Sequence, residues 1–199
     1  MKNTIFNVIF IGLGVVSFGL FCAGIGGGYS RVLEPGLAFM LFVVGSFLGV
    51  VVSVLGIVDS SRHGVTAKST VLVMGLVPTG TLGYLLVLGW GYPMMNDVTT
   101  DLVYPPKFVH AKTVEANVDR DMDFPLEFKG DMESFYADII PKTQFSSVDD
   151  VFFRATDIVK GLSNWELTAS RIEETNSYIE GTVTSGVFGF VDDFVIRIA

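Results

Sequence analysis

The sequence carries, between Glu34 and Asp59, an uninterrupted apolar stretch over residues 35–58, PGLAFMLFVVGSFLGVVVSVLGIV. Uncharged stretches also precede and follow it, over residues 3–30 and 69–96. A helix needs about 20 mainly apolar residues to cross the hydrocarbon core of a bilayer, and a segment in lipid must be helical to pair its backbone amides. The sequence therefore predicts three transmembrane helices within residues 1–92, near Ile5–Gly28, Gly36–Val58 and Thr70–Tyr92.

Charge divides the 199-residue chain into two parts. Residues 1–92 carry 6 charged side chains and a formal charge of +2, whereas residues 93–199 carry 28 and a formal charge of −10. The single cysteine and the hydrophobic fraction of 50% exclude a disulfide scaffold and a disordered chain. We therefore expect a membrane part followed by an acidic, water-soluble part. The charge of −10 argues against nucleic acid as a partner.

Cations near the predicted helices suggest an orientation. Lys2 precedes the first helix, and Arg62 and Lys68 lie between the second and third, whereas Arg31 stands alone between the first and second. The positive-inside rule then predicts a cytoplasmic N-terminus and a periplasmic soluble part in a bacterial inner membrane. The first segment is longer than the roughly 7–15 apolar residues of a signal peptide, so we expect a retained helix in which Cys22 is an ordinary apolar residue.

A row of small residues, Gly45, Gly49 and Ser53, follows one face of the second helix. Such a row permits another helix to approach closely. Two interpretations remain open: the row packs against a helix of the same chain, or it forms a seam for another membrane protein or a second copy. No ionisable residue interrupts the three spans, which argues against a transport path and favours an anchor in the lipid bilayer.

Residues 93–113 read as an extended linker with two motifs, Asn96-Asp97-Val98-Thr99-Thr100-Asp101 and Pro105-Pro106-Lys107-Phe108. A helix is predicted after Ser146 and Ser147, which can cap it. Its apolar residues recur at helical spacing: Val151, Ala155, Ile158, Val159 and Leu162. Gly161 is suited to ending it, and a shorter helix is expected near Asp131–Ile139.

The helical spacing of the apolar residues ends at Asn164, and the β-branched and aromatic residues that follow favour strands. We predict strands over Trp165–Ile172, Tyr178–Ser185 and Phe194–Ile198, with Asp192 and Asp193 interrupting the chain before the last one. Neighbouring strands joined by short turns pair antiparallel. Residues 114–199 are therefore predicted to form a small α+β domain with an antiparallel sheet of about three strands.

The two motifs of the linker resemble the opening of the DUF1499 family. Trp165 and the stretch Gly189-Phe190-Val191-Asp192-Asp193-Phe194-Val195-Ile196-Arg197-Ile198 are similar to its Gly-Phe-x-Asp-Asp-hydrophobic-Arg signature. The resemblance covers residues 96–199 and implies an extracytoplasmic domain behind a membrane region, without implying an activity. It also implies an Arg- and Ser-rich strand and a closing helix after Arg197, which residues 198–199 do not supply.

Catalytic and metal-binding groups are sparse. Nucleophilic catalysis needs a base beside its nucleophile, but Cys22 and His63 belong to the membrane part, and His110 has no Gly-x-Ser-x-Gly element to accompany it. A zinc site needs three or four ligands, so neither a metal nor a cofactor is expected.

The spacing of Asp119, Asp121 and Asp123 is similar to the start of a calcium loop. Phe124 stands where that loop requires glycine, and Gly130 stands where it requires the bidentate glutamate. We therefore interpret the three aspartates as an acidic loop exposed to water.

Asp192, Asp193 and Arg197 form the main candidate site. Neighbouring residues of a regular strand point to opposite faces, so the two aspartates should not face one pocket. We predict that they form a turn in which one carboxylate accepts backbone amides, and that Arg197 pairs with the other or with Asp97 or Asp101. This arrangement is a structural clasp. A ligand site and a pair of catalytic carboxylates remain as alternatives.

These observations favour a non-enzymatic accessory or interaction subunit of a membrane assembly, with an acidic extracytoplasmic domain. The alternative is a tethered periplasmic domain that binds a small ligand, or that acts enzymatically on a small molecule or a component of the cell envelope.

Overall fold

The computed structural model describes residues 2–63 and 69–199. They form two compact units. The first extends to Trp90 and includes Gly186–Phe190, and the second comprises Gly91–Ser185 and Val191–Ala199.

The first unit contains three long helices, α1 (Lys2–Tyr29), α2 (Pro35–His63) and α3 (Ser69–Gly89). Each contains a segment that is long and apolar enough to cross a membrane, and these segments are Ile5–Tyr29, Pro35–Asp59 and Ser69–Gly89. The three predicted helices are therefore confirmed, and the chain is a membrane protein. Of the cations that suggested an orientation, the side chains of Lys2 and Arg62 and the whole of Lys68 lie outside the described part of the chain.

Residues Gly186–Phe190 connect two strands of the second unit but belong to the first. The ring of Phe188 lies 5.4 Å from the rings of both Phe39 and Phe42 on α2. Phe190 lies 5.9 Å from Phe39, and Nη2 of Arg31 donates a hydrogen bond to the carbonyl of Gly186 at 3.5 Å. The apolar run of residues 187–190 thus packs on helical aromatic side chains instead of extending a strand.

The second unit contains two helices and three strands. Helix α4 spans Lys129–Phe135 and helix α5 spans Val148–Gly161, and the strands are β1 (Trp165–Ile172), β2 (Ser177–Thr184) and β3 (Val191–Ile198). The strands form one antiparallel sheet in the order β1-β2-β3. The predicted α+β class and antiparallel sheet are therefore confirmed.

Helix α5 begins where its cap predicts. The Ser147 side chain accepts a hydrogen bond from the Asp150 backbone N–H at 3.1 Å, which satisfies one of the free amides of the first turn. Phe152 and Val159 are buried and pack with Ile179 of β2. Ile158, one of the apolar residues at helical spacing, is 62% exposed, because the stripe through Phe152 and Val159 faces the sheet.

Strand β3 begins earlier than predicted. Asp192 and Asp193 do not form a turn: they pair in the ladder with Val183 and Thr182 of β2. Cross-strand hydrogen bonding therefore overrides the low strand preference of aspartate.

The sheet has one apolar and one polar face. Ile179 faces α5, together with Phe194 and Ile196. Because successive strand residues alternate between faces, Glu180 points to the opposite side. An irregular layer, residues 93–125, packs there and contains two 3₁₀ turns, Ala111–Thr113 and Glu115–Asn117. Residues 93–113, predicted to be an extended linker, are thus part of a packed layer that carries both N-terminal motifs.

Candidate functional site

Glu180 is a buried carboxylate on the polar face, with a side-chain exposure of 1%. It accepts hydrogen bonds from the backbone N–H groups of Val109 (3.1 Å) and Ala111 (3.0 Å), and from Nη1 of Arg171 at 2.6 Å. Burial raises the pKa of Glu180, but the bonds from Ala111, Arg171, Val109 and His110 outweigh that effect and hold the pKa below its ordinary value. Glu180 therefore stays ionised and fastens the irregular layer to β2.

Arg197 fastens a second part of the same layer. Its Nη2 donates to Asp101 Oδ2 at 2.6 Å, and its Nη1 donates to the Tyr104 carbonyl at 2.8 Å. Asp101 Oδ1 accepts the backbone N–H groups of Val103 and Tyr104, each at 2.9 Å. The bond from Tyr104 lowers the pKa of Asp101 most strongly, and those from Val103 and Arg197 add to it. Of the partners predicted for Arg197, the structure selects Asp101.

Asp193 is bound by a third part of the layer. Its Oδ2 accepts a hydrogen bond from Asn117 Nδ2 at 3.1 Å, and Arg120 Nη1 lies 4.0 Å away. Asp192 points to the other face of the sheet and is exposed. Neither carboxylate caps a turn. Among the predicted residues, the structure thus brings Arg197 to Asp101, and it places Asp193 with Asn117 and Arg120, which the sequence did not single out.

Asp97 and Asp193 border two small cavities, of about 190 Å³ and about 130 Å³, between the irregular layer and β3. Burial raises the pKa of Asp97, and the hydrogen bond from Val98 opposes this only in part. Asp192 also borders the smaller cavity. Both aspartates thus border one cavity, although they are successive residues of a regular strand and project to opposite faces.

A larger groove of about 460 Å³ lies on the same polar face. It is lined by three cations, Lys107, Arg171 and Arg197, and by Tyr104, Tyr178, Val103, Pro105, Pro106 and Val109. It is therefore cationic, in contrast to the two carboxylate-lined cavities.

The acidic loop predicted around Asp119, Asp121 and Asp123 forms ion pairs. Asp123 accepts from Nζ of Lys112 at 2.6 Å and lies 3.5 Å from Nζ of Lys107. The hydrogen bond from Lys112 is the main reason why the pKa of Asp123 is lowered. Within residues 2–63 and 69–199, no group of three or more His, Cys, Asp or Glu side chains is arranged to hold a metal ion.

His110 and Cys22 lie in different units. His110 is exposed beside the 3₁₀ turn that follows it. Cys22 is exposed on α1. The side chain of His63 lies outside the described part of the chain.

The small-residue row of α2 is occupied by helices of the same chain. A Cβ added at Gly45 would lie 2.5 Å from the backbone N of Phe21 on α1, and one added at Gly49 would lie 2.8 Å from the carbonyl of Gly75 on α3. Ser53 lies 3.5 Å from the Thr79 hydroxyl, also on α3. Of the two interpretations left open, the structure favours packing within the chain.

The sequence did not single out Glu180 or Arg171. A usable signal was present, because Glu180 is the charged residue in the middle of the otherwise uncharged strand SYIEGTVT. A charge at such a position has to be paired if it is buried.

Comparison with protein families gives one finding for the second unit. A family model described as "Protein of unknown function (DUF1499)" matches residues 97–199, just over half of the chain. No curated protein and no solved structure matches the chain.

Proposed function

This chain belongs to the DUF1499 family, and we propose that it is a membrane-anchored binding protein whose soluble unit takes up a small ligand on the polar face of its sheet. The helices hold the protein in the bilayer. The irregular layer over residues 93–125 shapes the binding face. This is the ligand-binding form of the tethered domain considered from the sequence.

The observation that carries this proposal is that the ionisable residues of the polar face hold the irregular layer in place. Glu180, Asp193 and Arg197 each bind a different part of the irregular layer. The layer is thereby held as a fixed wall, and cavities remain along its edges. A wall fixed before the ligand arrives lowers the entropic cost of binding, so this arrangement suits recognition.

Native mass spectrometry of the full-length protein, purified from its own membrane in mild detergent, tests the proposal. We expect a small-molecule adduct at a constant ratio to the protein. Arg197→Gln should release it, because that change frees the Asp101–Tyr104 segment. Arg154→Gln is the matched control, since Arg154 is exposed on α5 and forms no ion pair within the described residues. A protein without an adduct, and whose unfolding temperature no fraction of a small-molecule extract raises, would count against ligand binding.

The second candidate is the non-enzymatic accessory subunit. It is favoured by apolar side chains that the soluble unit exposes on and before α5: Phe145 is fully exposed, and Phe153 and Ile158 are more than half exposed. Such side chains are suited to a partner protein. Since the row on α2 is occupied within the chain, a partner contact is more readily placed here.

Co-purification separates the two candidates. If the chain is a subunit, a membrane protein should elute with it at constant ratio, and Phe153→Ser with Ile158→Ser should remove that protein. Lys160→Ser on the same helix is the control. A chain that elutes alone in several detergents would contradict the subunit role.

We also propose the orientation expected from the positive-inside rule, with the soluble unit in the periplasm of a bacterium and the α2–α3 connection in the cytoplasm. Single-cysteine variants in a Cys22→Ser background test this. A membrane-impermeant maleimide should label Thr175→Cys, in the exposed β1–β2 turn, on intact spheroplasts. It should label Ser61→Cys only after permeabilisation. The reverse pattern would place the soluble unit in the cytoplasm.

A further inference from the structure

A row of three side chains crosses the sheet on its polar face. Arg171 of β1 pairs with Tyr178 of β2, and Tyr178 pairs with Arg197 of β3. Directly paired residues of antiparallel strands project to the same face. The guanidinium carbon of Arg171 lies 4.0 Å from the centre of the Tyr178 ring. The row is therefore cation, aromatic ring, cation, and it lines the groove of about 460 Å³.

The groove is cationic within an acidic part of the chain. Residues 93–199 carry nine lysines and arginines against nineteen acidic residues. Three of the nine, Lys107, Arg171 and Arg197, line this groove, and its lining includes no carboxylate. The two carboxylate-bordered cavities on the same face would repel an anion. A negatively charged group is thus favoured at one place on this face.

Both guanidiniums are held in fixed positions before any ligand arrives. Arg171 donates Nε to Glu173 and Nη1 to Glu180, and Arg197 donates both terminal nitrogens to the layer. Nη2 of Arg171 and Nε of Arg197 form no hydrogen bond within residues 2–63 and 69–199. Each arginine therefore keeps a donor for a further acceptor.

Lys107 completes the cationic set. Its side chain is largely exposed, and its Nζ lies 3.5 Å from Asp123, a long and weak contact, whereas Lys112 binds the same carboxylate at 2.6 Å. Lys107 can thus turn to an anion in the groove without leaving Asp123 unpaired.

From this geometry we propose that the groove binds an oxyanion, a phosphate or carboxylate group, on a molecule whose apolar part lies against Tyr178, Tyr104 and Pro105. The remaining donor of each arginine can form a charge-assisted hydrogen bond with an oxyanion, and the ring and proline surfaces provide apolar contact. The inference deepens the proposed ligand-binding function and rests on it. The oxyanion belongs either to a soluble metabolite or to a lipid headgroup.

Titration calorimetry on the full-length protein in nanodiscs of zwitterionic phosphatidylcholine, which has no net charge, tests the site. The probes are phenyl phosphate, inorganic phosphate and the short-chain lipid dihexanoyl phosphatidic acid. We expect saturable binding of phenyl phosphate that weakens as salt increases. Stronger binding of the lipid would identify a headgroup, and stronger binding of phenyl phosphate a soluble ligand, with the same site in either case.

Two lysines provide a matched pair of variants. Lys107→Gln should raise the Kd for phenyl phosphate by about threefold to tenfold, because it removes one charge-assisted hydrogen bond. Lys129→Gln removes an exposed cation on α4 that lies outside the groove and away from Asp123, and should leave the Kd unchanged. Both variants should retain the wild-type unfolding temperature, which shows that the fold is intact.

Absence of saturable binding by all three probes would overturn the proposal, as would an equal effect of the two lysine substitutions. This failure is distinguishable from failure of the binding function as a whole. If the native adduct persists in Lys107→Gln while phenyl phosphate does not bind, the soluble unit binds its ligand elsewhere, and only the assignment to this groove falls.

Discussion

Replacing Glu180 by glutamine should destabilise the soluble unit more than any other single change of an ionisable residue. The side chain is fully buried and accepts two backbone N–H groups and one guanidinium N–H. Glutamine has nearly the same shape, but it keeps only one acceptor oxygen, and its NH2 group would face either the backbone N–H groups of Val109 and Ala111 or the guanidinium of Arg171. It would also leave Arg171 without its buried counter-charge.

The expected loss of stability follows from the ion pair between Glu180 and Arg171. Removing one partner of a buried ion pair costs about 3–5 kcal/mol. Arg171 is 28% exposed and keeps its bond to Glu173, so the lower end, about 3 kcal/mol, applies. For a domain of this size, 1 kcal/mol shifts the unfolding temperature by roughly 4–8 °C. Glu180→Gln should therefore lower the unfolding temperature of the soluble unit by more than about 10 °C.

Tryptophan fluorescence can follow this unit separately. The chain has two tryptophans. Trp90→Phe leaves Trp165, whose ring lies 4.7 Å from Phe194 in the sheet. Thermal unfolding of the full chain in detergent, with Trp90→Phe as background, then reports on the second unit. Glu174→Gln is the matched control, because Glu174 is exposed in the β1–β2 turn and forms no hydrogen bond within the described residues.

The pH dependence gives a second measure of the same bond. The folded pKa of Glu180 lies below its ordinary value of 4.5, so its stabilising effect is complete above that pH and is lost as the pH falls through the folded pKa. The difference in unfolding temperature between the wild type and Glu180→Gln should therefore become smaller at acidic pH. Equal unfolding temperatures for Glu180→Gln and Glu174→Gln at pH 7 would refute the assigned role of Glu180.

Three further changes test other parts of the structure. Gly181→Ala should lower the unfolding temperature monitored by Trp165, because its Cβ would clash with the carbonyl oxygen of Glu166 on β1 and lie 2.5 Å from the Phe194 ring on β3; an unchanged value would contradict the close packing of β1 and β3 around this glycine. Gly45→Ala should reduce the heat stability of the detergent-solubilised chain, measured by size-exclusion chromatography, whereas Gly12→Ala should not, since nothing lies within 4 Å of its added Cβ. Asp97→Asn should raise the unfolding temperature at pH 7, because the raised pKa of Asp97 means that its charge opposes folding, and the gain should vanish below pH 3.8, where the wild-type carboxyl is protonated in both states.

The elements that could be predicted from the sequence depend on local patterns. Uncharged runs of membrane length located α1, α2 and α3, and Ser147 with the following periodicity located α5. The bounds of β1, Trp165–Ile172, match the prediction. In each case, the deciding residues lie within one helix or strand, so no knowledge of distant partners is needed.

The irregular layer could not be predicted in the same way, because distant residues hold it. Val109 and Glu180 are 71 positions apart, and Asp101 and Arg197 are 96 apart. Read alone, residues 93–113 have the prolines and short polar side chains of a linker. The same reason explains the error at Asp192 and Asp193: aspartate favours turns locally, and only pairing with β2 makes this segment a strand.

The two motifs that identified the family, far apart in sequence, meet in space. Asp101 ends the first motif, Arg197 lies in the second, and their ion pair joins the beginning of the soluble unit to its last strand. One partly exposed ion pair, worth about 1 kcal/mol, does not offset the entropy of ordering a layer of this length. The buried carboxylate of Glu180 and the Asp193–Asn117 bond must share that task. Removing Arg197 should therefore loosen the layer locally around Asp101 and Tyr104, whereas removing Glu180 should release the layer as a whole. For this reason Arg197→Gln is the better choice for disturbing a binding face in a folded protein, and Glu180→Gln is the better choice for measuring what holds that protein together.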